Sequence, residues 1–184
     1  PEAVRAIGDA DLIVIGPGSL FTSIVPNLLI SDISAALADS PAFKVYVCNV
    51  AEEPAQTEGY SVLDHLNIIR HYGGIGSIDA VVANGNLPGG ETPAGLDFIR
   101  ANNPWKDDVI LVEADVIDVT DQTSTARHDP VKLSNAIAEA YRKYRGRRRR
   151  LPRVRLNLGL NRPGNGRQVL NGNEESEPLP VQEK

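Results

Sequence analysis

The 184 residues contain no methionine, one cysteine, one tryptophan and three phenylalanines. A single cysteine excludes a disulfide within the chain, and Cys48 sits inside the apolar run "KVYVCNV", where a small buried thiol is expected rather than a redox or metal centre. No apolar run reaches the length of a membrane span, and no charged-then-apolar signal segment opens the sequence, so a cytoplasmic protein is expected. The three histidines show no HxH or HExxH spacing, and there is no GxSxG turn, which removes support for hydrolase chemistry and for a metal site. Because the chain opens at Pro1 without any methionine, it is expected to be a piece of a longer protein.

Basic charge is scarce in most of the chain and concentrated at its end. Residues 1–145 carry 10 Lys+Arg against 20 Asp+Glu, whereas residues 146–184 carry 9 against 4. From Gly146 onward no hydrophobic period is sustained, so residues 146–184 read as a basic disordered tail and residues 1–145 as the folded domain. The nine basic residues between Arg142 and Arg155 are expected to lie in solvent or to touch anionic surfaces. With no interleaved aromatic beyond Tyr144, base-specific nucleic-acid recognition is not expected.

Four short runs rich in Val and Ile predict strands at 11–16, 44–50, 79–85 and 109–116. They are apolar almost throughout, as in strands buried on both faces of a parallel sheet. Helical spacing appears at 31–39 and at 61–72, the second opened by a Ser61/Asp64 capping box, with a third helix predicted at 94–101. The last helix starts at Asp129 as N-cap with Pro130 at its first position. Alternating strands and helices predict an α/β fold, a three-layer Rossmann-like sandwich with a mostly parallel sheet.

One turn stands out. "GPGSLFTSIVPNLL" (16–29) leaves the first predicted strand, and ligands on open α/β sheets bind beyond the carboxyl ends of the strands. Gly16 and Gly18 permit close backbone approach, and Ser19, Thr22 and Ser23 add hydroxyls suited to phosphate or a sugar. With no lysine it is not a P-loop, and it does not fit GxGxxG. Taken alone, these residues are equally consistent with a plain tight strand-to-helix turn.

The longer pattern "ADLIVIGPGSLFTSIVPNLLI", "VCNV", "EGYSVLDHL" and "RHDPVKLSNAI" resembles, in order and spacing, the carboxy-terminal half of YvcK-like gluconeogenesis factors. These belong to the CofD superfamily, which also contains 2-phospho-L-lactate transferase. The resemblance covers about residues 1–145. It implies a Rossmann-like fold and a nucleotide or nucleotide-sugar ligand such as a UDP-sugar, with links to gluconeogenic growth and cell shape and no established reaction. Matched residue by residue, it implies ligand-binding roles for Gly16, Pro17, Gly18, Ser19, Thr22, Ser23, Asn27, Asn49, Tyr60, Asp64 and Arg127. It names no catalytic residue.

Two departures from the family pattern bear on the site. Where the family reads "TQPGETDGYS", this chain has Glu52, Glu53, Ala55 and Gln56 in place of Thr, Gln, Gly and Glu, so an anion there should be held less well. The family's opening "GGGTG" turn has no counterpart, so an amino-terminal half of the same domain is expected to complete the site.

Arg127 is a candidate to counter a diphosphate, because residues 1–126 supply only Arg5, Lys44, Arg70, Arg100 and Lys106 as other cations; a surface salt bridge explains it equally well. Asp64 and Asp129 can serve simply as helix caps. Two functions remain open: a non-catalytic nucleotide-sugar-binding regulator, and a phospholactate-type transferase that would need Mg²⁺ and a deazaflavin slot. The scarcity of aromatic rings favours the first. A third reading is a structural half-domain without activity of its own, and a homo-oligomer is also compatible with the sequence.

Overall fold

The computed structural model describes residues 1–73, 78–86, 97–102, 104–118 and 126–150. The predicted strands are β1 (Leu12–Ile15), β2 (Phe43–Val47), β3 (Ala80–Asn84) and β4 (Ile110–Ala114). They form one sheet in the order β1-β2-β3-β4, with every pair parallel. The apolar character of these runs now has its cause: β2 and β3 are central, and every residue in them is buried.

Side chains alternate between two helical layers, as the two-residue period of a strand requires. Ile15, Tyr46, Cys48, Val81 and Ala83 face a layer built from Leu28, Leu37, Leu66 and Ile69. These belong to α2 (Val25–Leu28), α3 (Ser31–Asp39) and α4 (Val62–Gly73). On the other face, Phe43, Val45, Val82 and Val112 meet Ala136 and Ala140 of α5 (Pro130–Arg150). Helices on both faces of a parallel sheet give the expected three-layer α/β sandwich. A further helix, α1 (Glu2–Asp9), was not legible in the sequence; it rests on α3, and the Ile7 carbonyl accepts the Ser40 hydroxyl at 3.2 Å.

α5 does not cover the whole of its face. It packs on β2, β3 and β4, while Leu12 and Val14 of β1 stay 42% and 43% exposed. Among the described residues β1 also has a strand neighbour on one side only.

The capping predictions are realised in the structure. Asp64 Oδ2 accepts the Ser61 N–H at 2.8 Å, and the Ser61 hydroxyl accepts the Asp64 N–H at 3.3 Å. Asp129 Oδ1 accepts the N–H groups of Val131 and Lys132 at 2.8 and 2.9 Å.

Two expectations need correction. The helix predicted at 94–101 is absent over 97–101, residues 94–96 lying outside the described part. There the backbone runs extended beside the segment leaving β2: Glu52 N–H donates to the Asp97 carbonyl at 2.8 Å and Ile99 N–H to the Val50 carbonyl at 3.0 Å. Residues 50–52 present backbone groups that need partners, and tertiary pairing overrides local helical spacing. The second correction concerns Gly146, where order was expected to stop. α5 continues through it to Arg150. Arginine is a good helix former, and cations at a helix carboxyl end are favoured by the macrodipole. Residues 151–184 of the expected tail lie outside the described part.

Candidate functional site

All four strands point their carboxyl ends the same way, so the segments leaving β1 and β2 emerge side by side. Gly16 stands at φ +85°, and a Cβ there would meet the Val47 carbonyl oxygen at 2.8 Å. Glycine is therefore required by the approach of β2 itself. The Gly16–Pro17 peptide is cis. From Ser19 the chain enters a single π-turn, Leu20–Ile24, in which the Ser19 carbonyl accepts the N–H groups of both Ser23 and Ile24 at 3.0 Å. Pro26 then falls in the first turn of α2, where its missing N–H is harmless.

Asn49, two residues beyond β2, joins the two segments. Its Oδ1 accepts the Gly18 N–H at 3.1 Å, and its Nδ2 donates to the Gly18 carbonyl at 3.0 Å and to Glu53 Oε1 at 3.0 Å. The Gly18 amide is thus satisfied by the protein itself. What the turn leaves facing outward is Pro17, Thr22 and Ser23, all exposed, and the half-buried Ser19, whose hydroxyl lies 3.4 Å from Gln56 Oε1.

The departures at 52–56 are built into this arrangement. Glu53 holds Asn49, and Glu52 Oε2 accepts the Gly59 N–H at 2.8 Å, so both carboxylates brace their own loop. Ala55, where the family pattern has glycine, is at φ +61°. That is the left-handed region, which costs an L-residue about 1 kcal/mol or more.

The other candidates divide. Tyr60 stands edge-on to Phe21 of the π-turn, with ring centroids 6.4 Å apart, and so borders the same surface. Asn27 donates back to the Ser23 carbonyl at 2.6 Å. Asp64 is exposed and engaged with Ser61, whose hydroxyl first and backbone second hold its carboxyl below the usual range. Arg127 is exposed, and its carbonyl accepts the Asp118 N–H. Asn84 is buried, its Oδ1 accepting from Asn86 and from Val116, a tie between the ends of β3 and β4.

Two histidines matter more than their spacing indicated. His128 Nε2–H donates to the Cys48 carbonyl at 3.2 Å, bringing the Arg127–Asp129 segment to the end of β2 and leaving Nδ1 as an acceptor. His65 is buried; its Nδ1–H donates to the Ser61 carbonyl at 2.9 Å, and its Nε2 has no hydrogen-bond partner among the described residues. Burial lowers the pKa of both. Both stand in stretches that carry the family resemblance, His128 in "RHDPVKLSNAI" and His65 in "EGYSVLDHL", although neither was among the expected ligand-binding residues. Cys48 is fully buried, and burial pushes its thiol up to about 12.

The cluster at the ends of β1 and β2 is therefore Gly16–Ser19, Asn49, Glu53, Gln56 and His128. It offers hydroxyl, amide and imidazole groups, with the Glu53 carboxylate engaged by Asn49. Among the described residues no group of three His, Cys, Asp or Glu side chains converges as metal ligands would. None of the described helices is by itself long and apolar enough to cross a membrane.

Comparison with known proteins places this arrangement. A family model described as "2-phospho-L-lactate transferase CofD" matches residues 1–124. The gluconeogenesis factor of Halalkalibacterium halodurans is 38% identical over 143 residues, which is 75% of this chain and 44% of that protein. The gluconeogenesis factor of Bacillus subtilis is 34% identical over 145 residues, 76% of this chain and 45% of that protein. The crystal structure of a UPF0052 family member from Bacillus halodurans aligns with a TM-score of 0.65 at 32% identity, covering 74% of this chain and 46% of that one. The chain thus spans less than half of each of these relatives. With the motif order, the parallel sheet and the family match in agreement, the chain belongs to the CofD family and is of the gluconeogenesis-factor type.

Proposed function

We propose that this chain forms part of a nucleotide-sugar-binding regulator of carbon metabolism and cell shape, with the ligand seated over the ends of β1 and β2. The observation that carries the reading is the lock between Asn49 and Gly18, which fixes a hydroxyl-rich turn at the carboxyl edge of a parallel sheet. Rigid elements that hold a turn in place reduce the cost of ordering it around a ligand. The Ser19 hydroxyl and Gln56 would meet sugar or phosphate oxygens, His128 Nδ1 would accept from a hydroxyl, and Arg127 would supply charge from the rim.

The site is shared in this reading. The open side of β1 and the exposed Leu12 and Val14 are the surface on which a further α/β segment of the same domain would continue the sheet and bring a second phosphate cradle. Calorimetric titration of UDP-N-acetylglucosamine at low salt tests both parts. The chain alone is expected to bind weakly, and the chain joined to the remainder of a gluconeogenesis-factor relative is expected to bind in the micromolar range. Micromolar binding by the chain alone removes the need for the second segment. Absence of binding in the joined form contradicts the nucleotide-sugar reading.

Transfer of a phospholactyl group onto a deazaflavin hydroxyl, the chemistry of the 2-phospho-L-lactate transferase that the family model's description names, is the second reading. Formation of a phospholactyl product on a deazaflavin by the joined protein with Mg²⁺ would select it.

A further inference from the structure

Seven of the nine residues from Arg142 to Arg150 are Arg or Lys, in a chain whose net charge is −5. All nine lie on α5, which gives the run a fixed shape. At ~100° per residue, positions 142, 143, 145, 147 and 148 are spread around the whole circumference of the helix.

Two aromatic rings organise this charge. Tyr141 and Tyr144 pack on Phe43 of β2, with centroid distances of 5.4 and 4.7 Å. The guanidinium of Arg145 lies over Tyr141 at 5.9 Å, and that of Arg148 over Tyr144 at 5.6 Å. Each is an i,i+4 pair, and Arg148 Nη1 also donates to the Tyr144 hydroxyl at 3.2 Å. Lys143 is paired with Glu139 at 2.8 Å and Arg147 donates to the Asp108 carbonyl at 2.7 Å. Among the described residues neither Arg145 nor Arg148 has a carboxylate within salt-bridge distance.

The charge calls for a polyanion, and the composition chooses between two kinds. A helix that lies in a bilayer interface needs an apolar face to insert. Between positions 142 and 150 the one side chain with a large apolar surface is Tyr144, and it is turned to Phe43. An α-helix about 10–12 Å across instead matches the roughly 12 Å width of the B-DNA major groove, where phosphates flank it on both sides. We infer that residues 142–150 of α5 are a sequence-independent docking element for the phosphodiester backbone of a nucleic-acid duplex. The cation–π pairs hold two of the guanidinium groups before binding, and the acidic remainder of the domain keeps contact confined to this helix end.

Fluorescence anisotropy with the full 184-residue chain, a labelled 20-base-pair DNA duplex and a labelled RNA hairpin tests this between 50 and 200 mM KCl. Binding to the DNA duplex, at similar affinity for unrelated sequences, is expected; binding to the RNA hairpin alone, whose A-form major groove is deep and narrow, would contradict the groove fit. The quadruple variant R142Q/R145Q/R147Q/R148Q should bind at least tenfold more weakly. Its plot of log affinity against log salt should flatten by about 3–4, near 0.9 for each phosphate that is no longer neutralised. Circular dichroism should show the helix retained, and the matching lysine variant should keep most of the binding. Unchanged affinity and slope in the glutamine variant would overturn the inference. So would capture by phosphatidylserine vesicles with no duplex binding at 50 mM KCl.

Discussion

The Asn49 side-chain amide meets both the N–H and the carbonyl of Gly18, at 3.1 and 3.0 Å, across 31 residues of sequence. Through this one contact the segment leaving β2 sets the shape of the turn leaving β1. Asn49→Ala should release the turn and leave both Gly18 groups without their partner. We expect a loss of about 1–3 kcal/mol, read as a melting temperature lower by several degrees. Amide exchange at Gly18 and Ser19 should accelerate while that of β3 does not. Uniform acceleration across the sheet would mean that Asn49 supports the whole fold rather than the turn.

Ala55 offers a test of opposite sign. At φ +61° it occupies a conformation that glycine adopts without the Cβ clash. Ala55→Gly should therefore stabilise the protein by about 0.5–1 kcal/mol, after the greater entropy of glycine in the unfolded chain is set against the relieved strain. A lower melting temperature in the glycine variant would show that the loop is not strained there.

His65 and His128 set a pH dependence. Burial holds both below the ordinary histidine pKa, so the folded protein binds fewer protons than the unfolded chain on the acid side of neutrality. Their contribution to stability is present above the unfolded pKa of about 6.5 and is lost as pH falls through the folded values. Thermal melts from pH 8 to pH 5 should show a decline beginning near 6.5. In His65→Phe the decline should be shallower, and an unaltered profile would remove His65 from the explanation.

Cys48 should be chemically silent in the folded state. With its thiol pushed up to about 12 and its side chain buried, it presents almost no thiolate at pH 8. Ellman's reagent should label it only at the rate of unfolding. Labelling within seconds under native conditions would indicate access that the fold does not provide.

The parts of this molecule that were legible in the sequence are those fixed by local chemistry. The four apolar runs, the Ser61/Asp64 box and the Asp129–Pro130 start each carry their signal within a few residues, and each has its predicted place. Contacts decided by chain packing were not legible. The 97–100 segment pairs with 50–52 because that backbone needed partners, and the packing of Tyr141 and Tyr144 of α5 on Phe43 joins residues about a hundred positions apart. At the candidate site, sequence located Gly16, Gly18 and Asn49 but not their division of labour. Gly16 makes room for the Val47 carbonyl, and the Gly18 amide is held by Asn49, so neither glycine is simply open to a ligand.

The most direct measurement is a ¹H–¹⁵N NMR titration of the 184-residue chain with UDP-N-acetylglucosamine up to millimolar concentration at low salt. Weak binding suffices for this readout. Saturable shifts are expected at Gly18, Ser19, Asn49, Gln56 and His128, with none along residues 131–140 of α5. Saturable shifts confined to other surfaces, or no shifts at the highest concentration, would contradict a nucleotide-sugar site at the ends of β1 and β2.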